Sequence, residues 1–180
     1  AENEIKAESS DEFRNAEKFF DNMMKNFESA SEITADLRGH AEDGALASQA
    51  VPVDMARVEN FCSQHGITPV HLFLAGTFYA VSGFVNSRNV YISTISNGRS
   101  DMRLTNCFGM FVKTLALGIE IEDITSLEFV EKSKAVFTDS IENEIYPYAQ
   151  LCAKYGYAPN IMYEYQLGVV AVSYTHLTLP

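Results

Sequence analysis

Four histidines, three cysteines and twenty-four carboxylates carry the acid–base, nucleophilic or metal-binding potential of this chain. The histidines come first, because imidazole titrates nearest neutral pH. His65 precedes Gly66 at a predicted helix end, where a partly cationic ring suits exposed carbonyls. His71 falls in the first turn of an apolar helix. Both read as satisfied structural residues rather than catalysts. His40 lies in an acidic, unstructured-looking segment, which offers nothing to hold a catalytic ring in place. His176 belongs to a terminal stretch treated below. Cys62, Cys107 and Cys152 are odd in number, widely spaced and without a Cys-x-x-Cys pair, so they read as reduced core thiols rather than disulfide or zinc ligands. The sequence has no Gly-x-Ser-x-Gly elbow, no phosphate-binding Gly-rich loop and no His-Glu-x-x-His. No two carboxylates are set by spacing in an apolar environment, as acid–base catalysis would need. The residues therefore assign no catalytic group and no metal site to this chain.

Several elements could position a site contributed to something larger. Ser9 and Glu12 stand at capping-box spacing before Phe13, Ala16, Phe19, Phe20, Met23, Met24 and Phe27, which recur at helical steps. This predicts a strongly amphipathic helix packed on its own domain. From Glu28 to Gln49 the periodicity gives way to small and acidic residues, hence a surface loop. Ala50 to Val53 is read as a short edge strand. Asp54 caps a helix turning Met55, Val58, Phe61 and Cys62 inward and ending at Gly66. Thr68-Pro69 opens another, apolar nearly all round to Phe84 and expected to be the most buried element.

Val90 to Ile95 reads as a strand, Met110 to Glu122 as a long one, and Asn160 to Gln166 as a last one. Thr125 to Glu128 forms a second capping box, opening a helix to about Asn143, and Pro147 starts a short helix that stops at Gly156. Strands alternating with helices predict a mixed α/β layer architecture in one domain.

The formal charge of −11 argues against nucleic acid, which demands clustered Lys and Arg. The longest apolar run, Val70 to Phe84, is interrupted by His71, Gly76, Thr77, Ser82 and Gly83 and is too short for a membrane span. With no basic-then-apolar N-terminus and with reduced thiols, the expected location is the cytoplasm.

Gly109-Met110-Phe111-Val112-Lys113-Thr114-Leu115-Ala116 follows Ser96-Asn97-Gly98-Arg99-Ser100. Together these segments resemble a signature of the condensation domains of nonribosomal peptide synthetases, roughly Gly-x-Phe-Val-Asn-Thr-Leu after a strand ending in Gly-Arg. Lys113 departs where the family usually has Asn. Ala16-Glu17-Lys18-Phe19-Phe20 looks like the segment after the family's tunnel-spanning region, and Gly66 to Phe84 resembles its buried helix. Asn143-Glu144-Ile145-Tyr146-Pro147-Tyr148 is similar to a His-Gln-Asp-Tyr-Pro-Phe motif, kept chiefly at Tyr146-Pro147 plus an aromatic. Ile161 to Gln166 looks like the last strand. The order of these segments, from about Glu8 to Gly168, carries the resemblance more than any one of them.

The resemblance implies a chloramphenicol-acetyltransferase-like two-layer sandwich, one half of a pseudo-dimer with a tunnel between the halves. Residues 1–171 would be the C-terminal subdomain, truncated at both ends. The family's His-His-x-x-x-Asp-Gly motif would then lie upstream of Ala1. His40-Ala41-Glu42-Asp43-Gly44 has one His and two intervening residues, so it is not that motif.

The implied activity is acyl transfer that forms a peptide bond between carrier-bound thioesters, and the chain alone is expected to be inactive. It would supply the tunnel wall opposite the catalytic His, with Ser96, Asn97, Arg99, Lys113, Thr114 and Gln166 as candidates. Arg99 could equally form a buried ion pair with Asp101, and Lys113 could alter acceptor preference or snorkel to solvent. The implied partners are the N-terminal half of the domain, donor and acceptor carrier domains and an adenylation domain. No cofactor is expected on the chain itself, since phosphopantetheine rides on the carriers. An epimerisation domain, a noncatalytic recruitment module and a coenzyme A-dependent acyltransferase share the scaffold and stay open. Val172 to Pro180 resembles the conceptual translation of a transposase-type sequencing adapter and is set aside.

Overall fold

The computed structural model describes residues 9–34, 49–99 and 108–166. Its centre is β1 (Asn89–Ser96), whose branched and aromatic residues suit a strand packed on both faces. β2 (Lys113–Glu120) runs antiparallel along one edge, setting Val90 opposite Ile119, Tyr91 opposite Gly118 and Ile92 opposite Leu117. β3 (Met162–Tyr163) pairs parallel with the other edge through Ser93 and Thr94. The sheet order is therefore β2-β1-β3.

Side-chain alternation divides the sheet into two apolar faces. Val90, Ile92, Leu117 and Ile119 meet Leu74, Phe78 and Val81 of α3 (Pro69–Val85), with Phe129 and Phe137 of α4 (Ser126–Glu142) packed alongside. α2 (Met55–His65) extends this layer through Cys62, which joins Ala75 and Val130. On the reverse face, Tyr91 and Ala116 meet Phe13, Ala16, Phe20 and Met24 of α1 (Asp11–Met24). Leu151 of α5 (Tyr148–Tyr155) completes that cluster. Gly118 leaves the room this face needs: a Cβ there would stand 2.6 Å from the Phe27 ring, which packs on Tyr91 at 5.6 Å.

The helix boundaries follow the expected chemistry, with one shift. Asp54 accepts from the Arg57 amide at 3.2 Å, and Gly66 closes α2 in the left-handed region at φ 62°. Thr125 and Glu128 bond each other's backbone amides, so the α4 capping box is complete. At α1 the cap is Ser10 rather than Ser9: its hydroxyl accepts from the Phe13 amide at 3.1 Å. Glu12 therefore lies in the first turn, one position short of the capping-box partner.

Five expectations need correction. Residues 50–53 are irregular rather than an edge strand. The strand expected over 110–122 is regular only from Lys113 to Glu120, and that over 160–166 only at Met162–Tyr163. Met55 is 40% exposed instead of inward, because it occupies the first position of α2, before the helix reaches α3. Helix α3 is not the most buried element: Tyr79 and Phe84 are 70% and 75% exposed. Its apolar composition reflects two different faces, one on the sheet and one outward. No single helix among the described residues is long and apolar enough to cross a membrane, and α2 and α3 meet at a 102° bend. His40, Asp101, Cys107, His176 and residues 172–180 lie outside the described residues.

The two faces of α3 and the sheet should separate cleanly on mutation. Leu117→Ala, at a fully buried site, should cost about 2–5 kcal/mol of unfolding free energy, whereas Phe84→Ser should stay within about 0.5 kcal/mol. Urea unfolding of the two variants checks this; comparable losses would contradict the assignment of the faces.

Candidate functional site

Three chain segments reach the same end of the sheet because β1 and β3 are parallel and β2 runs against them. They are the end of β1 at Ser96, the start of β2 at Lys113 and the exit of β3 toward Gln166. Ser96 and Lys113 are cross-strand partners, and both turn to Glu144 in the connection between α4 and α5. The Ser96 hydroxyl donates to Glu144 Oε2 at 2.6 Å and accepts from the Gly98 amide at 3.1 Å. Lys113 Nζ donates to the Glu144 backbone carbonyl at 3.1 Å and stands 3.7 Å from Oε1. Glu144 is 7% exposed, so its carboxylate is held by these partners where water is scarce.

The turn after Ser96 is tightly made. Asn97 Oδ1 accepts from the Arg99 amide at 2.9 Å. Gly98 has φ 63°, and a Cβ there would fall 1.7 Å from the carbonyl oxygen of Phe111, so both backbone sign and space demand glycine. The Arg99 guanidinium lies 4.5 Å from the centre of the Phe111 ring, with Nη2 3.4 Å from the Gly109 carbonyl oxygen.

An open cleft of about 450 Å³ lies against these strand ends. Ser96, Asn97 and Gln166 line it, together with Thr94, Tyr163 and, at the start of α3, Thr68, Val70 and His71. Arg99, Lys113 and Thr114 do not. Thr114 is a half-buried β2 residue opposite Ile95, and Lys113 and Arg99 fasten the turn behind the cleft. Gln166 is exposed at the rim, where its amide donates to the Glu164 carboxylate. Among the described residues no cluster of His, Cys, Asp or Glu could hold a metal ion.

His71 belongs to this wall, although its sequence context suggested only a structural role. Its Nδ1 accepts from the Thr68 backbone amide at 3.3 Å, forming part of the α3 cap. The Thr68 hydroxyl lies 3.1 Å from the same nitrogen. Burial, aided by the nearby Lys134 charge, holds the His71 imidazole below its usual pKa.

The condensation-domain family model matches residues 1–160. The chain belongs to that family. It is 24% identical to bacitracin synthase 1 of Bacillus licheniformis over 123 residues, which are 68% of this chain and 2% of that protein. It is 31% identical to surfactin synthase subunit 2 of Bacillus subtilis (strain 168) over 96 residues, 52% of this chain and 3% of that one. The first condensation domain of the calcium-dependent antibiotic synthetase, solved with substrate analogue 2a, superposes with a TM-score of 0.70. That match has 15% identity and covers 87% of this chain and 38% of the solved one. The fold is thus the chloramphenicol-acetyltransferase-like α/β fold expected, and the chain spans only a small part of its relatives.

Against the condensation-domain motifs quoted above, Lys113 and Glu144 replace Asn and Gln, and the structure brings these two departures into contact. Lys113 neither extends into the cleft nor runs free to solvent. Glu144 escaped the sequence reading, although an opposite charge at a second motif position was the available signal. Single Lys113→Asn and Glu144→Gln exchanges should each destabilise the domain by about 1–2 kcal/mol. The double exchange should cost less than their sum by about 0.5–1 kcal/mol, a modest coupling because Lys113 is 43% exposed. A double-mutant cycle in urea measures this, and strict additivity would exclude the coupling.

His71 sets an acid limit. Its folded pKa is depressed below 6.5, so the unfolded state binds the proton more readily. Its contribution is complete above that value and is lost as pH falls through 6.5 toward the folded pKa. Wild type should therefore lose more stability than His71→Asn between about pH 7 and pH 5, read from unfolding midpoints at each pH.

Proposed function

We propose that residues 1–171 form the C-terminal half of a condensation domain and supply the tunnel wall facing a His-His-x-x-x-Asp-Gly motif on a segment N-terminal to them. Residues 172–180 are excluded from this reading. The supporting observation is the convergence of Ser96, Asn97 and Gln166 on one cleft where the signature strand begins. A wall is what the residues can offer, since they present hydrogen-bonding groups and shape.

In this reading, a donor thioester on one carrier domain is attacked by an acceptor amine on another, giving an amide and a free carrier thiol. A thioester is already activated, so fixing the two reactants in line supplies much of the acceleration. The motif His positions the amine or handles its proton, while this chain limits where the acceptor arm can lie. Arg99 and Lys113 act behind the wall by fixing the Asn97–Gly98 turn and Glu144. The partners are the domain's N-terminal half, two carrier domains bearing phosphopantetheine and the synthetase's adenylation domain.

The test uses the complete domain with both carriers loaded. It should form the amide, and Asn97→Ala and Gln166→Ala should each raise the acceptor KM about 3–10-fold with little change in kcat, as loss of uniform binding contacts requires. Purified residues 1–171 should show no rate above background; turnover by that piece would overturn the reading. Inversion of the acceptor α-carbon without amide formation would identify an epimerisation domain instead.

A further inference from the structure

Most polar groups on the floor of the strand-end cleft are already committed inside the protein. The Thr94 hydroxyl donates to the Tyr163 carbonyl at 2.8 Å, and the Tyr163 phenol donates to the Val70 carbonyl at 2.7 Å. The Ser96 hydroxyl is given to Glu144. Val70, Ile95, Val112 and Phe137 make much of the remaining wall apolar. His71 differs from these groups. A backbone N–H can only donate, so the bond from the Thr68 amide fixes Nδ1 as an acceptor and places the ring proton on Nε2. The ring edge rests on Phe137 at a centroid distance of 5.9 Å, which holds its orientation without using a polar atom. Nε2–H has no hydrogen-bond partner among the described residues, and His71 is one of the residues lining the cleft.

We propose that His71, fixed as the Nε2–H tautomer, donates a hydrogen bond to a carbonyl oxygen of the carrier-bound acyl substrate lying in this cleft. This deepens the tunnel-wall reading and rests on it. The chemistry favours a neutral carbonyl on an apolar body. A neutral donor in an apolar setting suits an amide or thioester oxygen, whereas a carboxylate would be poorly solvated there. Protonation at Nδ1 would turn an N–H against the Thr68 N–H, so the cap favours the neutral ring with its proton on Nε2. His71 is thus a substrate-positioning residue, one side of which caps α3 while the other faces the ligand.

The two nitrogens can be separated by substitution in the complete domain. Asn places its oxygen near the position of Nδ1 and keeps the cap while losing the distant donor. Gln extends an amide donor toward the position of Nε2 and gives up the cap. The probe is an aminoacyl-pantetheine amide with an apolar side chain, a stable analogue of the thioester, titrated by calorimetry or by the His71 Nε2 resonance. We expect His71→Asn to weaken binding about 5–10-fold, the worth of one neutral hydrogen bond, with the unfolding midpoint retained. His71→Gln should bind within about twofold of wild type at a lowered midpoint. Equal affinity in wild type and His71→Asn, or a loss in both variants that tracks only the midpoint, would overturn the proposal. Peptide-bond formation by the wild-type domain is measured alongside. If it stands while binding ignores His71, only the donor role fails. If it is absent, the function fails independently of the binding result.

Discussion

The structure depends on satisfying both edges of a buried strand. β1 is covered on its two faces, so its amides and carbonyls must find partners in the plane of the sheet. β2 does this along the whole of one edge. The other edge is completed in pieces by distant parts of the chain. Ser93 donates its amide to the Ile161 carbonyl at 3.0 Å, and Tyr91 donates its own to the Ser31 hydroxyl at 3.0 Å. Ser31 returns a bond to the Tyr91 carbonyl at 3.1 Å. A two-residue strand and one serine thus stitch the beginning and end of the described chain to its centre.

That stitching fixes what lies beyond the strand ends. On the reverse face, Lys154 of α5 reaches Glu17 and Asp21 of α1 at 2.9 and 2.8 Å. Burial works against ionised Asp21, but hydrogen bonds from Lys154 and Tyr155 prevail and hold its carboxyl below the usual range. Burial, aided by the same contact with Asp21, pushes the Tyr155 phenol up to about 12. With α5 held to α1, the preceding turn keeps Glu144 beneath Ser96 and Lys113. The polar turn at the cleft is therefore supported from the face opposite the one it serves.

Local chemistry was legible in the sequence; long-range geometry was not. Asp54, Gly66, Thr68, Thr125 and Gly156 mark helix ends through bonds within a few residues, and each does so in the structure. The signature strand and the mixed α/β architecture were likewise readable from periodicity and motif. The Lys113–Glu144 contact spans 31 residues and became visible only when β2 and the α4–α5 turn were brought together. His71 could not be placed at a cleft from its apolar neighbours, since a helix rich in Leu, Phe and Val does not disclose which side meets the sheet. The same ambiguity made α3 look wholly interior, although Tyr79 and Phe84 face outward.

The junction of Gly98 with Phe111 has a mechanical consequence. The backbone contact and the Arg99 guanidinium on the Phe111 ring close the chain upon itself just before and just after residues 100–107. Such a clasp ties the turn after β1 directly to the approach to β2, beyond the last ladder bond between the strands. Replacing the single glycine that forms it would therefore transmit the disturbance to both strands at once.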